Sequence, residues 1–193
     1  MMKPVELHHA SRLVNHGPTV LVGSAHAGRR NLMAAAWSMP VEFTPPRVVV
    51  VIDKSTFTRG LVTASGHFAL SVPGRHQADI VYTLGSESGA EADKFERHGL
   101  LADAGPVLGL PLLRGCVAHL ECRLIEEPHA QAAYDCFFGE VVSAQADERI
   151  FSKGHWLPPT ADNADLHTLH HLGAGLFGVA AESVQARQLP PRA

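Results

Sequence analysis

Hydroxyl and basic side chains gather in the segment DKSTFTR, residues 53–59, directly after the apolar run VVVVI. Such a run is typical of a buried strand, and the polar cluster stands where a helix would begin. The first turn of a helix has free N–H groups and a partial positive charge, which attract anions. The cluster therefore suits a phosphate group, through Ser55, Thr56, Thr58, Lys54 and Arg59. A capped helix between two solvated basic residues explains the same pattern equally well.

Three consecutive alanines, Ala34–Ala36, lie upstream in the segment NLMAAAWS. Their small side chains leave room for a flat molecule against the strand, where backbone N–H and C=O groups can contact its edge. Trp37 can form a wall beside that molecule. Close packing against another element is the commoner reason for such residues, so the alanines alone do not establish a ligand.

Composition favours one globular core and argues against several classes of function. The chain has 193 residues, 46% apolar and 18% charged, a length that suits one well-buried core. A net charge of -3 argues against nucleic acid as a partner. The longest aliphatic run, Val48–Ile52, is too short to cross a bilayer, so no membrane association is expected. The N-terminal residues lack the apolar segment of a secretion signal, and three cysteines suggest no disulfide framework, so we expect the cytoplasm.

Short strand-like runs separated by turn residues dominate the chain. Thr19–Ala25 and Leu32–Trp37 flank HAGRR, which predicts a hairpin closed by Gly28. Arg47–Ile52 follows two prolines and is apolar on both faces, which predicts a central strand. The helix after it is expected to have Ser55 as its N-cap.

Further strands and helices follow. Gly66 is expected to end the first helix and His67–Val72 to be the next strand. Another helix is predicted over Ala90–His98. Cys116–Ile125 alternates most clearly, with a polar face that we expect to point outward, made of His119, Glu121 and Arg123. Six or more strands with two or three inserted helices favour a mainly β, closed or nearly closed barrel over a doubly wound sheet.

The segment from NLMAAAW to SVPG, residues 31–74, resembles the core of the flavin-reductase-like FMN-binding proteins, which include flavoredoxins. SESGAEADKF and GCVAHLECRL resemble later segments of that family, in matching order and spacing. The resemblance implies an FMN-binding split β-barrel of Greek-key type. It also implies a homodimer with the flavin at or near the subunit interface. We expect one such domain over residues 1–193, with its core at about 10–185.

The resemblance also implies roles for particular residues. The rings and ribityl chain of FMN would lie against Asn31, Met33, Ala34, Ala35, Ala36, Trp37 and Ser38. The ribityl and phosphate end would be held by Asp53, Ser55, Thr56 and Thr58. Lys94 would approach the flavin or its phosphate, and Lys54, Arg59 and Phe68 are weaker candidates.

Two departures from the family pattern bear on the activity. Many flavin reductases of this family have Gly-Asp-His in a late strand, with the histidine near the nicotinamide and the flavin. Here the matching stretch is YDCFFGEVV, so Asp135 is kept and Cys136 replaces the histidine. Phe177 stands where a tyrosine is common. The sequence therefore predicts an FMN-dependent oxidoreductase with NADH or NADPH as electron donor, and it identifies no catalytic residue and no electron acceptor.

Three other functions stay open at this point. The first is an FMN electron carrier for protein partners, the second an oxidase of the pyridoxamine-phosphate type, and the third a binding module that has lost flavin. An oxidase of that type needs a second basic phosphate site, and few basic residues are available for one.

Histidine and cysteine patterns weigh less. His167, His170 and His171 would align on a helix, but no carboxylate motif of a zinc site accompanies them, so no metal is predicted. Cys116 and Cys122 are expected to be buried and inert. His155 and Trp156 either cover the flavin or pack locally.

Overall fold

The computed structural model describes residues 1–187, and in that part of the chain fourteen strands and four α-helices form. The sequence predicts disorder for the last six residues, QLPPRA, and these lie outside the described residues. The strands are β1 Met2–Pro4, β2 Val20–His26, β3 Arg29–Ala35, β4 Ser38–Phe43, β5 Pro46–Val51, β6 His67–Val72, β7 Ala102–Ala104, β8 Pro111–Leu113, β9 Ala118–Ile125, β10 Cys136–Asp147, β11 Phe151–Ser152, β12 His155–Trp156, β13 His170–Gly173 and β14 Leu176–Gly178. The helices are α1 Phe57–Ser65, α2 Ala78–Ser86, α3 Lys94–Arg97 and α4 Pro128–Tyr134.

Eight strands form one antiparallel sheet in the order β3-β2-β6-β9-β10-β5-β4, with β1 added to β10. Its two edge strands, β3 and β4, are consecutive in the chain and are joined by only Ala36 and Trp37. Among residues 1–187 no ladder joins β3 to β4, so the sheet stays open along that line. The predicted mainly β split barrel with a few helices is confirmed.

Alternating side chains fill the inside of the sheet. Val48 and Val50 of β5 are fully buried with Phe68 of β6 and Phe137 of β10. The predicted central strand is an interior strand, since β5 pairs with β10 on one side and β4 on the other, but it lies next to the edge strand and only one of its two apolar faces is covered. Its apolar outer face is therefore half exposed.

The predicted outward polar face of β9 is wrong for two residues. His119 and Glu121 are 5% and 1% exposed, because the segment with β7 and β8 folds over this face. Glu121 accepts hydrogen bonds from the backbone N–H groups of Val107 and Leu108, at 2.9 and 2.8 Å. The Nδ1 atom of His119 lies 2.8 Å from the hydroxyl of Ser71. The sheet thus has a second buried layer that alternation alone did not predict.

The local turn predictions agree with the structure at most positions. The β2–β3 hairpin turns at Gly28 and α1 ends at Gly66, both with positive φ, and β6 has its predicted bounds. The N-cap of α1 is Thr56 rather than Ser55. The helix predicted over Ala90–His98 contains only α3, which begins after Asp93. No helix within residues 1–187 combines the length and the apolarity that crossing a membrane requires.

Acidification from pH 7 to pH 5 is expected to lower the free energy of unfolding through His119. Burial lowers the pKa of this imidazole from 6.5 to about 4, so the folded protein holds it neutral and the unfolded chain protonates it. The unfolded state then binds more protons as the pH falls below 6.5, and the stability contributed by neutral His119 is lost as the pH approaches 4. Between pH 7 and pH 5, linkage gives a loss of about 2 kcal/mol.

Urea unfolding at both pH values measures this loss. His119→Asn is expected to reduce the difference in unfolding free energy between the two pH values, whereas His26→Asn, at an exposed position, leaves it as in the wild type. A His119→Asn protein with the wild-type pH difference would contradict the assignment.

Candidate functional site

The turn before α1 is organised by the carboxylate of Asp53. It accepts hydrogen bonds from the backbone N–H and the hydroxyl of Ser55, at 2.8 and 2.6 Å, and these bonds lower the pKa of Asp53. The hydroxyl of Thr56 donates to the backbone oxygen of Asp53 at 2.8 Å. Asp53, Lys54 and Ser55 are exposed, so this turn and the first amides of α1 meet solvent.

A cation that the sequence analysis missed lies beside this turn. The guanidinium of Arg29, at the start of β3, lies 4.1 Å from the centre of the Phe57 ring in the first turn of α1. Arg29 and Lys54 therefore bring two exposed positive charges to the start of the helix. In the sequence, the one sign of a phosphate-binding role for Arg29 is its place in the predicted hairpin loop. That place becomes informative only when the structure shows the hairpin packed against α1.

Asn31 and Thr58 link β3 to α1. The side-chain amide of Asn31 donates to the hydroxyl of Thr58 at 2.8 Å, and both residues are buried. The Oδ1 atom of Asn31 is buried without a hydrogen-bond partner in the described chain. A Cβ atom on Gly89 would come within 2.2 Å of this oxygen, so the loop after α2 closes tightly on Asn31.

Lys94 links β3 to α2. Its ammonium donates to the backbone oxygens of Leu32 and Leu84, at 3.0 and 2.7 Å, and the residue is 2% exposed. Burial lowers the pKa of Lys94, and the carboxylate of Glu87 opposes this shift. The structure therefore holds the ammonium between two backbone carbonyls.

The alanine strand ends at the opening of the barrel. Ala34 is half-buried, Ala36 and Trp37 are exposed, and Trp37 is 74% exposed. The hydroxyl of Ser38 is buried without a hydrogen-bond partner among residues 1–187. A cleft of about 230 Å³ adjoins this strand on the side of α2. The end of β3 thus presents small side chains beside a cleft.

Two weaker candidates have structural contacts. Arg59 donates to the carboxylate of Asp135 and to the backbone oxygens of Ile52 and Gln131, which ties α1 to the start of β10. Phe68 is fully buried in the core. The Arg59 guanidinium thus lies beside the turn before α1, where it helps to lower the pKa of Asp53, but its hydrogen bonds go to Asp135 and backbone oxygens.

The cysteines and Trp156 have local contacts. Cys116 and Cys122 are buried, and burial raises the pKa of each thiol. Cys136 is half-buried beside Asp135, with its thiol 3.5 Å from the backbone oxygen of Tyr134. The indole of Trp156 donates to the backbone oxygen of Arg12 at 2.7 Å.

The histidines do not align on a helix, because His170 and His171 are neighbours on β13. The described chain has no group of three or more metal-ligating side chains placed to hold an ion. One histidine pair shares a hydroxyl: the Nε2 atoms of His16 and His170 lie 2.9 and 3.3 Å from Oγ1 of Thr168.

The residues along β3 fit an added ligand such as the FMN that the sequence resemblance implies. Unpartnered polar atoms are costly when buried. Three unpartnered buried atoms of the described chain lie in β3 or next to its C-terminal end, namely Asn31 Oδ1, Ser38 Oγ and Thr19 Oγ1. A bound molecule with hydrogen-bonding ring edges can pair such atoms.

Comparison with known proteins identifies the family of the chain. Residues 12–160 match the family model described as Flavin reductase like domain. The uncharacterized protein YddH of Escherichia coli is 53% identical over 186 residues, which cover 95% of this chain and 97% of YddH.

Two solved structures show the same fold. The structure of an FMN-binding domain of a flavin reductases-like enzyme from Shewanella baltica has a TM-score of 0.91 and 41% identity, and covers 97% of this chain and 98% of its own. The flavoredoxin of Desulfovibrio vulgaris has a TM-score of 0.75 and 25% identity, over 88% of this chain and 90% of its own. With the family match over most of its length, the chain belongs to the flavin reductase like domain family.

Proposed function

We propose that this protein is an FMN-dependent oxidoreductase that takes electrons from NADH or NADPH and passes them to an acceptor. The observation that carries the proposal is the pairing of two features at the ends of β3. An exposed, cation-flanked helix start lies at one end, and an open alanine strand with unpartnered polar atoms lies at the other. FMN has an anionic phosphate at one end and a flat, polar-edged ring system at the other.

The phosphate end of FMN is assigned to the turn before α1. Free amides of the first helical turn and the charges of Lys54 and Arg29 would hold the phosphate. The hydroxyls of Ser55 and Thr56 would join them by turning away from Asp53, to which both donate in this structure. Asp53 keeps Ser55 in place through two hydrogen bonds. Thr58 is assigned an indirect role, because its buried hydroxyl accepts a hydrogen bond from Asn31 and so positions that side chain.

The ring end is assigned to the backbone from Met33 to Ser38, with Trp37 beside it. Asn31 Oδ1 accepts a hydrogen bond and Ser38 Oγ donates or accepts one, so both can pair with the polar edge of a flavin. Flavin supplies the redox chemistry, and the protein supplies binding, orientation and the local field. Lys94 contributes by holding β3 and α2 at a fixed distance.

Ser55→Ala is expected to weaken FMN binding about threefold, because its hydroxyl would exchange the Asp53 carboxylate for the phosphate and so gain only part of the roughly 1.5 kcal/mol of a hydrogen bond to a charged group. Titration of the protein with FMN, followed by flavin fluorescence, measures the affinity. Thr63→Ala, on the exposed side of the same helix, is the matched control and should bind FMN as the wild type does. Equal affinity of both variants would argue against the phosphate assignment.

Lys94→Met is expected to lower the free energy of unfolding by about 2–3 kcal/mol, because two buried backbone oxygens lose their donor. Denaturant unfolding without FMN measures this effect. Lys54→Met, at an exposed position, should change stability by less than about 0.5 kcal/mol. A stable Lys94→Met protein that has lost FMN affinity would instead indicate direct contact between Lys94 and the cofactor.

The electron donor is tested by anaerobic addition of NADH or NADPH to the FMN-loaded protein. Loss of the visible flavin absorbance with either nucleotide supports the reductase function. Bleaching by dithionite but by neither nucleotide would favour the electron-carrier alternative. Cys136, in place of the family's frequent histidine, and the likeness to a flavoredoxin are the observations that keep this second candidate.

A homodimer is part of the proposal, and an apolar row on the outer face of the sheet supports it. Met39, Val49, Phe138 and Ile125 are paired in register across β4, β5, β10 and β9. Their strand neighbours Val48, Val50 and Phe137 point into the core, so the row points outward. Exposed apolar surface of this extent is typical of a subunit interface.

Trp37, just before β4, extends this apolar surface, because its backbone oxygen accepts from Val51, the next outward residue of β5. Trp37 and Met39 are 74% and 57% exposed. A second subunit packed here would lie against the opening between β3 and β4. The proposed dimer therefore places the FMN rings close to the interface.

Met39→Glu is expected to convert a dimer into a monomer, because the change would bury a charge without a partner. Size-exclusion chromatography with light scattering gives the mass, which for one chain is 20.7 kDa. Leu101→Glu, at an exposed apolar position outside this surface, should leave the mass unchanged. A wild-type protein with the mass of one chain would contradict the proposed dimer.

A further inference from the structure

A cavity of about 390 Å³ lies between the turn before α2, the loop that joins β12 to β13, and the chain that leaves β14. Pro159, Val179 and four alanines give it mainly apolar walls, and its polar side chains are Arg75, Thr160 and His167. Its volume falls in the range of roughly 300–1,000 Å³ that is typical of ligand sites. None of these residues belongs to the site assigned to FMN.

Arg75 supplies a positive charge to this cavity. The residue is exposed, and within residues 1–187 the lining holds no carboxylate. Asp162 and Asp165, in the same loop between β12 and β13, are exposed outside the lining. The arginine–carboxylate ion pairs of the described chain are formed by Arg30, Arg59, Arg97, Arg114 and Arg149. Arg75 is not among them, so its guanidinium is available to an anion, and the planar fork of its N–H groups matches a phosphate.

The turn that carries Arg75 is fastened to the loop across the cavity. The backbone N–H of Arg75 donates to the backbone oxygen of His167 at 2.9 Å, and Gly74 forms a β-bridge with Thr168. The Nδ1 atom of His76 lies 2.8 Å from the backbone oxygen of Asp165. These contacts fix the backbone from which the guanidinium extends, so little ordering of this turn is needed when a ligand binds.

The opposite wall is shaped by the side chain of Asn163, which is 6% exposed. Its Oδ1 atom accepts from the backbone N–H of Thr160 at 2.8 Å and lies 3.1 Å from the Nε2 atom of His167. Its Nδ2 atom donates to the backbone oxygen of Pro158 at 3.1 Å. The cavity is therefore preformed, with apolar walls that suit a flat base and one cation that suits a phosphate.

The helix that starts at this cavity leads to the strand assigned to the flavin rings. A short 3-10 helix, Arg75–Gln77, runs directly into α2. Leu84, near the end of α2, is joined to Leu32 of β3 through the ammonium of Lys94. From the rise of the two helix types, Arg75 and Leu84 are roughly 15 Å apart along the axis. An extended NADPH molecule spans such a distance between its nicotinamide ring and its 2′-phosphate.

We propose that this cavity binds the adenosine 2′-phosphate of NADPH, and that Arg75 makes the protein prefer NADPH over NADH. The assignment rests on the proposed FMN-dependent function, for which it names the electron donor. Arg75 pairs with the 2′-phosphate, and Pro159, Val179 and the alanines pack against the adenine. Because the 2′-phosphate is the group in which the two donors differ, one guanidinium is enough to distinguish them.

Adenosine 2′,5′-bisphosphate and adenosine 5′-monophosphate are the probes, because they differ only in the 2′-phosphate. Isothermal titration calorimetry of the FMN-saturated protein gives both affinities. The bisphosphate is expected to bind about tenfold more tightly, since it adds a hydrogen-bonded charge pair. Arg75→Ala is expected to weaken the bisphosphate about tenfold and to leave the monophosphate unchanged.

Three further variants keep the binding test decisive. Lys153→Ala removes one exposed positive charge from the turn between β11 and β12, outside the cavity, and should bind both probes as the wild type does. Arg75→Lys keeps the charge without the planar fork and should bind the bisphosphate with intermediate affinity. Ala161→Trp, at an exposed position of the lining, should weaken both probes by filling the cavity, and it serves if Arg75→Ala does not fold.

Anaerobic reduction of the bound FMN, followed over a range of nucleotide concentrations, tests the preference itself. The wild type should have a lower KM for NADPH than for NADH. Arg75→Ala should raise the KM for NADPH about tenfold, because the contact with the 2′-phosphate is lost. The KM for NADH, and kcat with either donor, should stay as in the wild type, because Arg75 lies far from the reacting rings.

Equal affinity of the wild type for the two probes, or equal bisphosphate affinity in the wild type and Arg75→Ala, would overturn the proposal. Inorganic phosphate that binds as tightly as the bisphosphate and depends on Arg75 would also overturn it, because the cavity would then be a site for free phosphate. A protein whose FMN is reduced by neither nucleotide refutes the proposed function instead. In that case the probe titration still decides whether Arg75 recognises a 2′-phosphate.

Discussion

An edge strand with a free side must be held in place if it is to support a ligand, and β3 is that strand here. It pairs only with β2, so half of its backbone groups have no ladder partner in the described chain. Unprotected edges of this kind invite pairing with other chains. Two buried polar contacts fix β3 from opposite sides, from Asn31 to Thr58 of α1 and from Lys94 to Leu32.

These contacts differ from ordinary core packing because they are directional. An apolar contact tolerates small shifts, whereas a buried hydrogen bond loses most of its value when its geometry changes. Lys94 also reaches Leu84, so one ammonium sets the distance between β3 and α2. That distance also sets the width of the cleft between β3 and α2. Stability and site geometry therefore depend on the same side chain.

Local signals in the sequence predicted local structure well. Gly28 and Gly66 require positive φ, and the turn and the helix end occur where they stand. The family resemblance predicted the split barrel, whereas the spacing of strands and turns by itself predicted only a closed or nearly closed barrel. Long-range burial was not predictable: Glu121 reads as a surface charge until the segment with β7 and β8 folds over it.

The site shows the same division. Three hydroxyls and two basic residues marked the start of α1 as a candidate phosphate site. Their spacing could not show which of the basic side chains forms an ion pair with another part of the chain. Arg59 is occupied by Asp135, and Arg29, distant in sequence, lies beside the helix start instead. Asn31 was predicted as a contact of the ligand, and its bond to buried Thr58 depends on packing between β3 and α1.

The hydroxyl of Thr168 links two histidines, one on each side of it. A hydroxyl has one proton to donate and two lone pairs that accept, so at most one of the two Nε2 atoms can accept from it. At least one of His16 and His170 therefore donates through Nε2–H to Thr168. Burial and the neighbouring His170 lower the pKa of His16 to about 4, consistent with a neutral ring. One hydroxyl thus ties the terminal hairpin to the segment before β2, and it does so with either one or both imidazoles as donors.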